Sequence, residues 1–181
     1  LGVAIAILYS GTGGSDRGGR EYSFDGSRQC LSAVPSDAVL VSSFANAGSV
    51  CEDILSVFSF PSQLSQKMED GSLAWLKMCS IAVSLHYAGK LHALYVLDLD
   101  RATDATASGL EAFLGAPGLH FTKMGGLIAI SSSEPLVKAS ARHYEKNVSI
   151  ADAPGFENAL ASVGGEDVVL VSNVYAGKLL P

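Results

Sequence analysis

Ser80-Ile81-Ala82-Val83-Ser84-Leu85-His86-Tyr87, then Ala88-Gly89-Lys90, then Leu91-His92-Ala93-Leu94-Tyr95-Val96-Leu97-Asp98, decides how this chain is read. Two apolar runs of strand length flank a short loop that holds a glycine, the pattern of a β-hairpin. Taking Gly89-Lys90 as a two-residue turn sets Tyr87 opposite His92, Leu85 opposite Leu94 and Val83 opposite Val96. Ile81, Val83, Leu85, Leu94 and Val96 then share one face of the ribbon. Ser84, His86, Ala93, Tyr95 and Leu97 take the other. That second face is too apolar to stand bare in water. Ser84, His86, Tyr95 and Leu97 are therefore its candidate interaction residues.

Working outward, Pro35-Ser36-Asp37 is a turn, and 38–44 reads as a central strand. Asn46 can cap a helix carrying Val50, Ile54, Val57 and Phe58. Pro61 opens a further helical stretch that Gly71 ends. Beyond the hairpin, Thr103 can cap a helix with Leu110, Phe113 and Leu114 facing inward. A second hairpin follows, 119–123 and 127–131 around Gly125-Gly126. Ser132 or Ser133 then starts a helix with Glu134 and Pro135 in its first turn. Asp152 caps another at Pro154, and 167–175 is a last strand. This order gives the α+β class. It is mainly an antiparallel sheet with helices packed on one face around a core resembling the split βαββαβ arrangement.

Composition narrows the function. Of 181 residues, 48% are hydrophobic and 17% charged, which excludes a disordered chain. The net charge is -6 with no basic block, which argues against nucleic acid and against an electrostatic hold on anionic lipid. Cys30, Cys51 and Cys79 show no metal-ligand spacing, so no zinc and no other cofactor is expected. Three buried thiols, or one disulfide and one free thiol in an oxidising compartment, both fit.

The first nine residues, Leu1-Gly2-Val3-Ala4-Ile5-Ala6-Ile7-Leu8-Tyr9, are apolar apart from the closing phenol. As a helix they span about 13 Å, under half of a bilayer core of roughly 30 Å. We read residues 1–10 as part of a membrane anchor, with Leu1, Val3, Ile5, Ile7 and Leu8 in lipid. A core strand and a signal remnant are the competing readings. Residues 11–28 are a glycine-rich linker with no phosphate-loop ending. Residues 29–165 form the α+β domain.

Asp37-Ala38-Val39-Leu40-Val41-Ser42 returns as Asp167-Val168-Val169-Leu170-Val171-Ser172, five of six positions being identical. Residues 166–181 are accordingly expected to begin a second repeat unit. Chance likeness between two apolar strands is the alternative.

Little of the chain carries chemistry. His86 lies two residues from Ser84, as a base beside a nucleophile would, yet no carboxylate stands out to orient the ring. In the register above, His86 and His92 point to opposite faces and cannot share a metal. Asp98, Asp100 and Asp104 fit no calcium loop and read as caps and solvated groups. Asn147-Val148-Ser149 is a glycosylation sequon that has meaning only in a eukaryotic secretory setting.

Four further segments occur in a characteristic order: Val34-Pro35-Ser36-Asp37-Ala38, Ser84-Leu85-His86-Tyr87-Ala88-Gly89, Ile130-Ser131-Ser132-Ser133 with Leu136-Val137, and Ser149-Ile150-Ala151-Asp152-Ala153-Pro154-Gly155-Phe156. Between Val34 and Tyr175 the chain resembles uncharacterised envelope proteins of Bacteroidota with one N-terminal membrane helix and a large periplasmic part. The resemblance implies an inner-membrane, single-pass protein with its domain in the periplasm. It carries over no catalytic residue. The expected function is a non-enzymatic module that binds other envelope or inner-membrane proteins. A module for a small molecule or lipid is the alternative.

Overall fold

A computed structural model describes residues 29–44, 74–100, 110, 114, 118–153 and 168–171. The protein is α+β. Six strands form one sheet: β1 (Leu40–Phe44), β2 (Ile81–Tyr87), β3 (Leu91–Asp98), β4 (His120–Met124), β5 (Leu127–Ser131) and β6 (Val168–Val171). They lie in the order β4-β5-β3-β2-β1-β6, and every neighbouring pair is antiparallel. Among the described strands β1 sits directly beside β2, and the sheet has no parallel pair divided by an inserted strand. In that respect it departs from the split βαββαβ order.

The β2–β3 hairpin forms where the sequence placed it, but its register is one residue away from the expected one. Tyr87 faces Leu91, His86 faces His92, Leu85 faces Ala93 and Ser84 faces Leu94. The turn therefore holds three residues, Ala88-Gly89-Lys90. Ala88 N–H donates to the Lys90 carbonyl at 3.0 Å, and Gly89 takes φ 77°, which a side chain would oppose. One step of register turns all of β3 over relative to β2.

Both faces of the sheet are buried. One carries Val41, Ala82, Leu94, Val96, Leu127 and Ala129, packed against Cys30, Leu31, Ala33, Val34 and Leu136. The other carries Phe44, Ile81, Val83, Tyr95, Leu97, Ile128 and Ile130, packed against Leu76, Leu110 and Leu114. Burying each Leu or Ile contributes about 1.5–3 kcal/mol. Two covered faces also explain why β2 and β3 are apolar almost without alternation. Cover on the second face comes in part from a 3-10 turn, Ala74–Met78, so packing is not confined to the one face that the sequence suggested.

Helix α1 (Glu134–Lys146) lies against the first face, burying Leu136, Val137 and Ser140. Pro135 suits its first turn, where no intrahelical N–H bond is lost. Asn147 stops it at φ 50°, with the Asn147 and Val148 N–H groups donating to the carbonyls of Tyr144 and His143. Ser140 Oγ donates to the Ala33 carbonyl at 2.6 Å, tying α1 to the segment before β1. That segment is held again by the Pro35–Ser149 bridge and by Ile150 N–H on the Val34 carbonyl at 2.8 Å. Ser149 and Asp152 close a capping box around a 3-10 turn, Ile150–Asp152.

β6, read from sequence as the opening of a second unit at 166–181, is hydrogen-bonded to β1 in this same sheet. The helices expected from Asn46, from Pro61 and from Pro154 fall outside the described residues, as do the linker and the apolar stub. Of the Thr103 helix, only Leu110 and Leu114 are described, both helical and fully buried. Among the described residues no helix is long and apolar enough to cross a membrane.

Candidate functional site

The register places three polar side chains in line. Ala82, Ser84 and His86 alternate onto the α1 face of β2. β1 runs antiparallel to β2 with Leu40 opposite Leu85, and Val39 N–H extends the pairing to the Leu85 carbonyl at 2.8 Å. The turn that feeds β1 therefore passes beside His86, and it delivers Asp37. Ser84 Oγ lies 2.9 Å from His86 Nε2, and His86 Nδ1 lies 3.1 Å from Asp37 Oδ1. With the Nδ1 proton donated to the carboxylate, Nε2 accepts from the Ser84 hydroxyl. This is the serine-histidine-aspartate order of a nucleophilic relay.

Sequence inspection found the Ser84 and His86 pair and missed the carboxylate. Asp37 is 49 residues away along the chain, and only the β1–β2 register brings it close. The signal that could have found it is the repeated Asp at the head of both look-alike strands. Asp37 is held below the ordinary carboxylate range. The His86 hydrogen bond is the main cause, and partial desolvation opposes it.

The relay crosses from surface to core. The Asp37 side chain is 75% exposed and that of His86 only 5%. Ser84 has no exposed surface. It lies between Val41 and Leu94, its opposite residues on β1 and β3, and both belong to the apolar layer under α1. A nucleophile needs an approach path and a cradle for the developing oxyanion. Ser84 lacks the approach. The relay satisfies a buried hydroxyl and a buried imidazole, which would otherwise cost about 1–3 kcal/mol each.

The expected interaction face does not exist as one face. Ser84 and His86 lie on the α1 side, while Tyr95 and Leu97 lie on the other. All four are buried, at 0, 4, 3 and 1% exposure. Turning β3 over is the cause. The same shift puts His86 and His92 on one face, not on opposite faces. Among the described residues, however, no three His, Cys, Asp or Glu side chains gather within reach of one metal ion. The anchor residues Leu1, Val3, Ile5, Ile7 and Leu8 lie outside the described residues. Cys30 and Cys79 are buried, their Sγ atoms donating to the carbonyls of Ser80 and Trp75, and burial pushes the Cys30 thiol upward. Asp98 accepts the Asp100 N–H at 2.9 Å, which is a turn-capping role.

Two surface features were not singled out in the sequence. The first is the hairpin tip, where the opposed pair Tyr87 and Leu91 is 58% and 45% exposed. The second is a cleft of about 600 Å³ between β4 and α1, with Phe121, Val137 and Ala141 in its lining and Lys138 and Arg142 among its charged residues. It lies on different elements from the relay. Comparison with protein-family models, with curated proteins and with solved structures finds no match.

Proposed function

We propose that this protein is a non-enzymatic interaction module of the cell envelope, tethered to the inner membrane through Leu1–Tyr9 with its domain in the periplasm. The observation that carries the reading is the Tyr87–Leu91 pair. A large aromatic and a leucine stand side by side, in register, on a hairpin whose remaining apolar residues are nearly all buried. Tyrosine is among the residues enriched at interface hot spots, so Tyr87 is the anchor and Leu91 its apolar neighbour. The sealed Ser84 supports the non-enzymatic part. The apolar stub and the resemblance support the tether. The partners on this reading are other envelope or inner-membrane proteins.

The test is affinity purification from native membranes in mild detergent. A stoichiometric partner that is lost from a Tyr87→Ser, Leu91→Ser double variant supports the reading. Recovery of the protein alone, as a monomer, contradicts it.

The cleft between β4 and α1 favours a second reading, a module for a small amphiphile. Its volume is in the range of ligand sites, and it combines apolar lining with cations. Native mass spectrometry of the purified protein separates the two readings. A retained small molecule favours the second, and a retained protein favours the first.

A further inference from the structure

Helix α1 turns a stripe of four charged side chains toward the cleft beside β4. Glu134, Lys138, Arg142 and Glu145 all line it. Their spacing of four, four and three residues stacks them along one side of the helix. The acids stand at the two ends and the cations in the middle. Lys138 Nζ lies 2.7 Å from Glu134 Oε1, and this pair holds the Glu134 carboxyl below its ordinary range. Arg142 is exposed, and among the described residues it has no ion-pair partner. Lys138 and Arg142 are one turn apart, a spacing at which like charges repel. An anion seated between them relieves that repulsion.

Beside the stripe the cleft is apolar. Val137 and Ala141 contribute from α1, Phe121 from β4, Leu119 from just before it, and Leu114 from the buried layer. Phe121 and Thr122 are successive residues of β4 and project from opposite faces of the sheet, yet both line this one cleft. The inner edge of β4 is paired with β5, so the cleft runs round the outer edge. Both apolar layers come partly exposed there. Leu119 and Phe121 pack against one layer, and Ala141 packs against the other.

We propose that this cleft binds a single-chain anionic amphiphile, a medium-chain carboxylate being the simplest member, with its head between Lys138 and Arg142 and its chain along Phe121, Val137 and Ala141. The proposal rests on the reading of the cleft as a ligand site and adds which ligand it takes. The apolar lining holds a chain whatever its head group, and the volume of about 600 Å³ is in the range of such sites. Arg142 selects the head, because its planar fork matches a carboxylate in bidentate fashion. A cationic head meets two like charges in the middle of the stripe. An uncharged head leaves the guanidinium unanswered. Glu134 is engaged with Lys138, and Glu145 at the far end of the stripe confines the anion to the middle.

The experiment titrates decanoate, decanol and decyltrimethylammonium, each below its micelle concentration, into the 181-residue protein and follows backbone amide shifts by NMR. Decanoate is expected to shift the amides of Phe121, Val137 and Ala141 and to bind at least about fivefold more tightly than either of the other two. Arg142→Gln changes an exposed side chain, and the amide spectrum checks that the fold is kept. This variant is expected to weaken decanoate by at least about fivefold and to leave decanol unchanged. Equal affinity for decanoate and decanol, or no effect of Arg142→Gln on decanoate, overturns the proposal while the cleft remains a ligand site. Absence of shifts in the cleft with all of the probes overturns the proposal together with the reading it rests on.

Discussion

His86 and His92 stand directly opposite each other across β2 and β3. This pairing sets which face of the sheet each residue of the hairpin takes. It sends Ser84, Leu94 and Val96 beneath α1 and sends Val83, Tyr95 and Leu97 to the other side. It makes the connecting turn three residues long, and it leaves Tyr87 and Leu91 as the last opposed pair at the tip. The β1–β2 register separately brings the turn that holds Asp37 to His86. The exposed tip follows from one register and the polar relay from the other.

The relay is predicted to be unreactive. A fluorophosphonate probe incubated with the native protein should leave Ser84 unmodified, as read by peptide mass spectrometry. An adduct on Ser84 would refute the sealed site. Ser84→Ala should instead lower stability by about 1–3 kcal/mol, because His86 Nε2 is left buried without a partner. Chemical denaturation measures this directly.

Asp37 gives a pH dependence with a defined sign. Its carboxyl is lowered in the folded state relative to the unfolded chain. Its stabilisation is therefore present above the unfolded value, near pH 4, and is lost as the pH falls through the lowered folded value. Because the side chain is 75% exposed, solvent screening limits the effect to at most about 1 kcal/mol. Asp37→Asn should lower the urea midpoint at pH 7 and converge with the parent protein in acid. Equal midpoints at every pH would remove the Asp37–His86 pair from the stability account.

The reach of the sequence is best judged strand by strand. The 127–131 strand was bounded correctly because Gly125-Gly126 is an unambiguous turn, with Met124 opposite Leu127. Helix α1 was legible from Ser133, Glu134 and Pro135 at one end and its buried face. The β2–β3 register was not legible, because both faces of both strands are apolar and a one-residue slip changes no pattern. Asp37 was missed for a related reason. Its partner lies on another strand, and only a solved register connects them. The tip pair was hidden because Tyr87 and Leu91 look like ordinary strand residues until the turn length is known.

Gly125 is predicted to be less tolerant of a side chain than Gly126. Gly125 takes φ 60°, a conformation that a side chain opposes by about 1–2 kcal/mol. At Gly126 a Cβ would meet only Asp100 Oδ1, the end of an exposed side chain that can turn away. Gly125→Ala should therefore lower the urea midpoint more than Gly126→Ala. A larger loss at Gly126 would show that Asp100 cannot move aside.

The central claim is that the hairpin tip is where this protein meets a partner. The most direct measurement places a photoreactive amino acid at Leu91 and irradiates native membranes, with Lys138 on α1 as the control position. The account predicts one discrete cross-linked protein from Leu91 that vanishes when Tyr87 is also changed to serine. Adducts of equal yield from both positions, or none from Leu91, would contradict it.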